Sequence, residues 1–161
     1  MTGTAGAERW EADVAELWQR ADRSRPAEVL DGMRVLWRRR GEQDADALAE
    51  WAGAHDFVGR ESDAIPLYRR SLERGVAGRR RDEVVVQLAS SLRAVGDPDA
   101  AIVVLDDHEV TEAMRPAAQA FRALALRDLG RAEEALTVAL TALAPTLGQY
   151  RGAVARYAAR R

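Results

Sequence analysis

Apolar residues recur at intervals of three, four and seven along almost the whole chain, the spacing of one buried face on an α-helix. Trp10, Val14, Leu17 and Trp18 form one stripe, which Ala21 continues. Val29, Met33, Leu36 and Trp37 form a second, opened by Pro26 after the polar linker 22–25. The alternation expected of strands is missing. Its strongest competitor, the run Val84, Val85 and Val86, lies inside a longer helical pattern that continues to Leu92. The pattern predicts an all-α chain.

The helix ends are legible too. Asp97-Pro98 reads as an N-cap followed by proline at the first helical position, where no N–H is needed. Gly59, Gly96 and Gly130 each follow one helical pattern and precede another, the place where a left-handed residue closes a helix. From Gly59 to Gly96 is 37 residues and from Gly96 to Gly130 is 34. Aligning on these glycines aligns more. Ala64, Ala101 and Ala135 lie five residues after them, followed by Ile65, Ile102 and Leu136; Ala52, Ala89 and Ala123 lie seven residues before them, and Val58, Val95 and Leu129 one residue before.

Small residues on facing helices let two axes approach, and the large aliphatics beside them fill the remaining space. Such a hairpin cannot bury its apolar face alone and must stack on neighbours. Repeats are therefore predicted at 45–78, 82–115 and 116–147, with a three-residue excess at 78–81. Residues 8–40 read as a further helix pair capping the stack, residues 148–161 as a C-terminal helix, and residues 1–7 as a disordered start to a single domain over 8–161. Repeat three departs from the pattern. Gln119 and Arg122 stand where Leu48 and Trp51 serve repeat one and Val85 and Leu88 serve repeat two, while Phe121 and Leu124 lie off that face. Its first helix is then either rotated or uses its other face against a C-terminal helix, which Tyr150, Val154 and Tyr157 would supply. Pro66 is tolerable in a first helical turn and kinking later.

These columns resemble the tetratricopeptide repeat, and the segment DLGRAEEALTVALTAL at 128–143 matches it best. Residues 52–93 look most like the repeat group of short actinobacterial and bacillar proteins. The resemblance implies antiparallel helix hairpins stacked as a short right-handed superhelix of about nine helices, a protein-interaction scaffold without catalysis. It also implies that first helices line a concave groove through the residues 13, 10, 6 and 3 positions before each glycine. Those residues are Asp46, Ala49, Gly53 and Asp56 in repeat one; Glu83, Val86, Ser90 and Arg93 in repeat two; and Ala117, Ala120, Leu124 and Arg127 in repeat three. Arg93 and Arg127 share a column and would fork-bond a carboxylate of a peptide ligand, or are already paired with Asp56, Glu83 or water. The lysine–asparagine clamp of some family members is not supported, because the chain has neither residue type.

Composition narrows the picture. The 161 residues carry 26 acidic and 24 basic side chains for a net charge of −2, and every basic residue is arginine. The lack of Lys and Asn and the scarcity of Ile look like the product of a GC-rich coding genome. No cysteine means no disulfide, no thiolate metal site and no cysteine nucleophile. No apolar run approaches the ~20 residues of a bilayer span. The N-terminus lacks the basic and apolar regions of a signal peptide, so a cytoplasmic protein is expected. A pI near 5.8 argues against a dedicated nucleic-acid binder.

Candidate chemistry is sparse. Asp106, Asp107, His108 and Glu109 are consecutive, so on a helix they point apart rather than converge on a metal; a solvated loop is the expectation. His55 sits in a core column matching Leu92 and Leu126, and reads as a partly buried structural histidine. No serine lies in a strained elbow and no glycine loop cradles phosphate. The runs Arg38, Arg39, Arg40 and Arg79, Arg80, Arg81 lie at helix ends, where cations complement the dipole or solvate a connection. Trp10, Trp18, Trp37 and Trp51 read as core; an interface is the alternative.

The expectation is therefore a protein without cofactor or metal that binds a protein or peptide segment in its groove. The second class is a homo-oligomeric structural module, such as a homodimer formed through the N-terminal tryptophan-bearing pair or the C-terminal helix. An enzyme or an RNA-binding repeat protein would need a polar pocket or a basic stripe that the sequence does not display.

Overall fold

The computed structural model describes residues 2–160, and among these it contains nine α-helices, two short 3₁₀ turns and no strand. The helices are α1 (Thr2–Arg20), α2 (Pro26–Arg40), α3 (Ala45–Phe57), α4 (Glu61–Glu73), α5 (Gly78–Ala94), α6 (Pro98–Asp107), α7 (Arg115–Asp128), α8 (Ala132–Leu143) and α9 (Arg151–Ala158). The all-α reading holds. Contacts divide the chain into two compact units, Met1–Val84 and Val85–Arg161, with the division inside α5, where one continuous domain was expected. Helix α1 is drawn from Thr2, within the segment 1–7 expected to be a disordered start; residue 1 lies outside the described residues. Extending a helix already anchored at Trp10 fixes one residue per added bond, which is far easier than starting one.

The three glycine turns share one geometry. Gly59, Gly96 and Gly130 have φ of 79°, 88° and 75°, a region that side-chain-bearing residues rarely adopt. At each turn the amide of the residue after glycine donates back across the helix end: Arg60 to His55, Asp97 to Leu92 and Arg131 to Leu126, all at 2.9 Å. Each glycine amide also donates three residues back, to Asp56, Arg93 and Arg127. This double closure satisfies carbonyls that would otherwise be orphaned. The alanine columns are buried as their spacing requires: Ala64, Ala101 and Ala135 are 0%, 1% and 7% exposed.

The first unit packs α1 and α2 beside the α3/α4 hairpin. Asp44 caps α3 by accepting from the amides of Asp46 and Ala47. Leu48, Ala52, Ala64 and Tyr68 fill the hairpin interior, and Ser71 Oγ donates to the Ala45 carbonyl at 2.7 Å. Burying each of the larger apolar side chains contributes roughly 1.5–3 kcal/mol. Trp10, Val14, Leu17, Val29, Met33 and Leu36 form a core joined by Trp18, Trp37, Trp51 and Phe57. Trp10 Nε1 donates to the Leu36 carbonyl at 2.9 Å, and Trp37 stacks on Trp51 at 5.5 Å. All four tryptophans are core residues, as their stripes suggested. Pro66 is the sixth residue of α4, beyond the first turn, and faces solvent, where water can reach the carbonyl it leaves unbonded.

In the second unit, Ala123, Leu126 and Ala135 form the α7/α8 core with Ile102 of α6 and Val138. Asp97 caps α6 by accepting from the Ala100 amide. Helix α6 ends at Asp107, and His108 Nδ1 lies 3.0 Å from the Val104 carbonyl. Helix α9 packs on α8 through Ala158, whose carbonyl lies 3.2 Å from Thr137 Oγ1. The expected contacts of α9 are partly wrong. Tyr150 belongs to a 3₁₀ turn, and Tyr150 and Tyr157 are 63% and 58% exposed, because the small Ala158, and not the tyrosines, faces the neighbouring helix.

Candidate functional site

The arginine pair is present, with a partner the spacing did not single out. Arg93, near the end of α5, donates from Nη1 to Asp128 Oδ2 at 2.8 Å; Arg127, near the end of α7, donates from Nη2 to Oδ1 at 3.2 Å. One carboxylate thus gathers both guanidinium groups. Partial desolvation of Asp128 works against its charge, but hydrogen bonds and attraction from Arg127 and Arg93 hold its carboxyl below the usual range. Arg93 Nε is buried and donates to nothing among the described residues. The cluster therefore carries one net positive charge and keeps unused donors. An acceptor-rich group such as a peptide carboxylate is the chemistry it can answer.

Around this cluster, Ala120 and Arg127 are exposed, Leu124, Ala117, Ser90 and Arg93 half-buried, and Val86 buried. The face on α7 thus mixes a small residue, an aliphatic one and a cation, one helical turn apart.

The same columns behave differently in the first unit. Ala49 and Gly53 are buried, and Trp18 covers Gly53 closely enough that an added Cβ would sit 3.5 Å from its ring. Asp46 lies 3.4 Å from Arg80 Nη1 and 3.6 Å from Arg40 Nη2. Asp56 faces the buried Tyr68 hydroxyl; burial first, then the charges of Asp56 and Glu50, push that phenol far above its ordinary range. Glu83 accepts from Arg79 Nε at 2.7 Å. These five acidic and small positions serve internal packing and pairing.

Arg80 is the residue that sequence reading undervalued. It belongs to an arginine run in the first turn of α5, where cations oppose the helix dipole rather than complement it. Its Nη1 and Nη2 donate to Glu11 at 3.0 and 2.7 Å, and its Nε donates to Glu50 at 3.0 Å. Glu50 in turn accepts from Trp18 Nε1 at 2.7 Å. Burial disfavours the Arg80 charge, yet Glu11, Glu50 and Asp46 raise its affinity for the proton above the usual guanidinium value. The run at the end of α2 does lie where cations complement the dipole.

His55 is the half-buried structural residue expected. Its ring meets the Trp51 edge at 4.3 Å, and Nδ1 lies 3.7 Å from Asp63. Burial lowers its pKa, with Asp63 opposing and Arg60 assisting. The Asp106-to-Glu109 cluster does not converge: Asp106 pairs with Arg122, and no group of three potential metal ligands occurs among the described residues. No described helix is long and apolar enough to cross a membrane.

Helix hairpins closed by repeated glycine turns define a helical-repeat protein. Residues 45–160 match the family described as tetratrico peptide repeat, and the chain belongs to that family. Repeats of this family generally mediate protein–protein interaction as non-catalytic scaffolds. Neither the curated proteins nor the solved structures contain a match to the chain.

Proposed function

We propose that the protein is a non-catalytic adaptor that binds a peptide or protein segment on the α7 face bearing Ala120, Leu124 and Arg127, next to Arg93. The observation carrying this reading is the shared Asp128 clasp, which holds two guanidinium groups together while the Arg127 side chain stays 60% exposed with further N–H donors. A segment with an acidic side chain or a free carboxylate would meet those donors, and Leu124 and Ala120 would take its apolar neighbour. Membership of the repeat family supports a protein partner.

A photo-reactive residue at position 120 tests the reading in extracts of the native cell. Cross-linked partners that disappear on introducing Arg93→Glu and Arg127→Glu together, in a chain of unchanged helicity, would support it. An identical partner set in the double variant would refute it.

A second reading is favoured by one observation: Leu136, Leu143, Tyr150 and Tyr157 are all about half exposed or more at the C-terminal end. Self-association through this end would bury them. Light scattering at high micromolar concentration separates the readings, since a monomer there leaves only the adaptor.

A further inference from the structure

Repeat three has a hollow at the base of its hairpin. The base of the α7/α8 hairpin borders an open groove of about 750 Å³, whose apolar lining is Pro116, Val138, Ala142 and Pro145. The repeat register explains its origin. Leu48, Tyr68 and Ser71 are each fully buried in the α3/α4 hairpin. Counting from the glycine turns, the same positions in repeat three hold Gln119, Ala139 and Ala142. Gln119 and Ala142 are half-buried and Ala139 is exposed. The bond from Ser71 Oγ to the Ala45 carbonyl, which ties the base of the first hairpin, has no counterpart at Ala142 and Pro116. Side-chain volume has been withdrawn from one hairpin base, and the space is open.

The rim of this space is positive. Arg115 and Arg151 both line it, each at the first residue of its helix, α7 and α9. Neither helix has an acidic residue in its first turn or a side-chain cap, so neither dipole is answered locally. Glu112 lies 3.6 Å from Arg115 and compensates that charge. Arg151 pairs with no carboxylate among the described residues. Thr137, Thr141 and Gln119 add hydrogen-bonding groups around the apolar floor. An apolar floor, a few hydroxyls and one uncompensated guanidinium fit a small concave ligand site of ordinary size.

We propose that this hairpin base is a binding site for a small amphipathic carboxylate, its alkyl chain on Pro116, Val138 and Ala142 and its carboxylate on Arg151. Charge selects the class: a cation would meet Arg151, and a neutral alkane would leave it without a partner. The site is separate from the Arg93–Asp128–Arg127 face and stands whatever that face binds.

Octanoate, octylamine and octan-1-ol are suitable probes, followed through the backbone amide resonances of Thr137, Val138 and Thr141 in the full chain. The expected result is saturable shifts with octanoate and binding of octylamine weaker by about tenfold or more. Arg151→Gln should weaken octanoate by about tenfold while leaving octan-1-ol unchanged. Ala142→Leu, which fills the floor, should weaken both octanoate and octan-1-ol. Octylamine binding as tightly as octanoate would overturn the proposal, as would shifts confined to other residues or no saturable shift up to about 10 mM. If Ala142→Leu fails to fold, the Arg151→Gln comparison decides alone, because Arg151 is exposed and pairs with no carboxylate among the described residues.

Discussion

Arg80 and Glu11, 69 residues apart in sequence, form a two-pronged ion pair at 2.7 and 3.0 Å that ties the first turn of α5 to the middle of α1. The Arg80 side chain is only 22% exposed and holds Glu50 and Asp46 as well. Glu11 and Glu50 therefore depend on this cation, and Asp46 shares it with Arg40.

Replacing that cation should cost far more than replacing one of its partners. Arg80→Ala leaves Glu11, Glu50 and Asp46 facing one another, and a loss of about 2–4 kcal/mol is expected. Glu11→Gln keeps a hydrogen-bond acceptor and should cost about 1 kcal/mol or less. Urea unfolding of both variants gives the comparison; equal losses would mean that the cluster does not act through Arg80.

Two glycines inside helices should respond oppositely to alanine. At Gly53 the added Cβ would sit 3.5 Å from Trp18, an ordinary contact, so Gly53→Ala should stabilise by up to about 1 kcal/mol through helix propensity. At Gly32 it would come within 2.7 Å of Leu17 Cδ1, and Leu17 is buried. Displacing Leu17 should cancel the gain or lower stability by about 1 kcal/mol. Melting temperatures of the two variants should move apart.

Ala101 is 1% exposed in the column that sets the hairpin spacing. Ala101→Trp should overpack it by roughly 1–3 kcal/mol or more, visible as a lowered denaturant midpoint. The neighbouring Val103, 55% exposed, should accept the same substitution with little change. A midpoint unchanged by the tryptophan at 101 would put the repeat register in error.

His55 should make the fold sensitive to mild acid. Its folded pKa lies below the ordinary imidazole value because burial disfavours the charged ring. The unfolded chain therefore binds the proton more readily, and stability present above about pH 6.5 declines as pH falls below it. One proton limits the slope to about 1.4 kcal/mol per pH unit. His55→Phe keeps a ring against Trp51 and removes the titration, so its stability between pH 7 and 5 should fall less steeply than that of the parent.

Legibility in the sequence followed the range of the interaction. The turns at Gly59, Gly96 and Gly130 and the cap at Asp97 are set by residues within six positions, and spacing alone located them. The alanine columns were readable because each repeats one local packing solution. Arg80 was not, because its value comes from Glu11 and Glu50, which only the folded chain brings beside it. Asp128 escaped for a different reason: it stands next to the Arg127 column, outside the spacing rule, and matters only once Arg93 arrives. Gln119 was visible as an irregularity, but that it borders a hollow follows from the volumes of Ala139 and Ala142 together.

Because arginine is the only strong base in the chain, the arginine–carboxylate pairs among the described residues do not depend on a lysine's proton. Lysine pairs begin to lose their proton near pH 10, whereas a guanidinium keeps it beyond 12. The links from Arg80 to Glu11 and from Arg93 to Asp128 should thus outlast carbonate buffers that dissolve lysine-based contacts elsewhere.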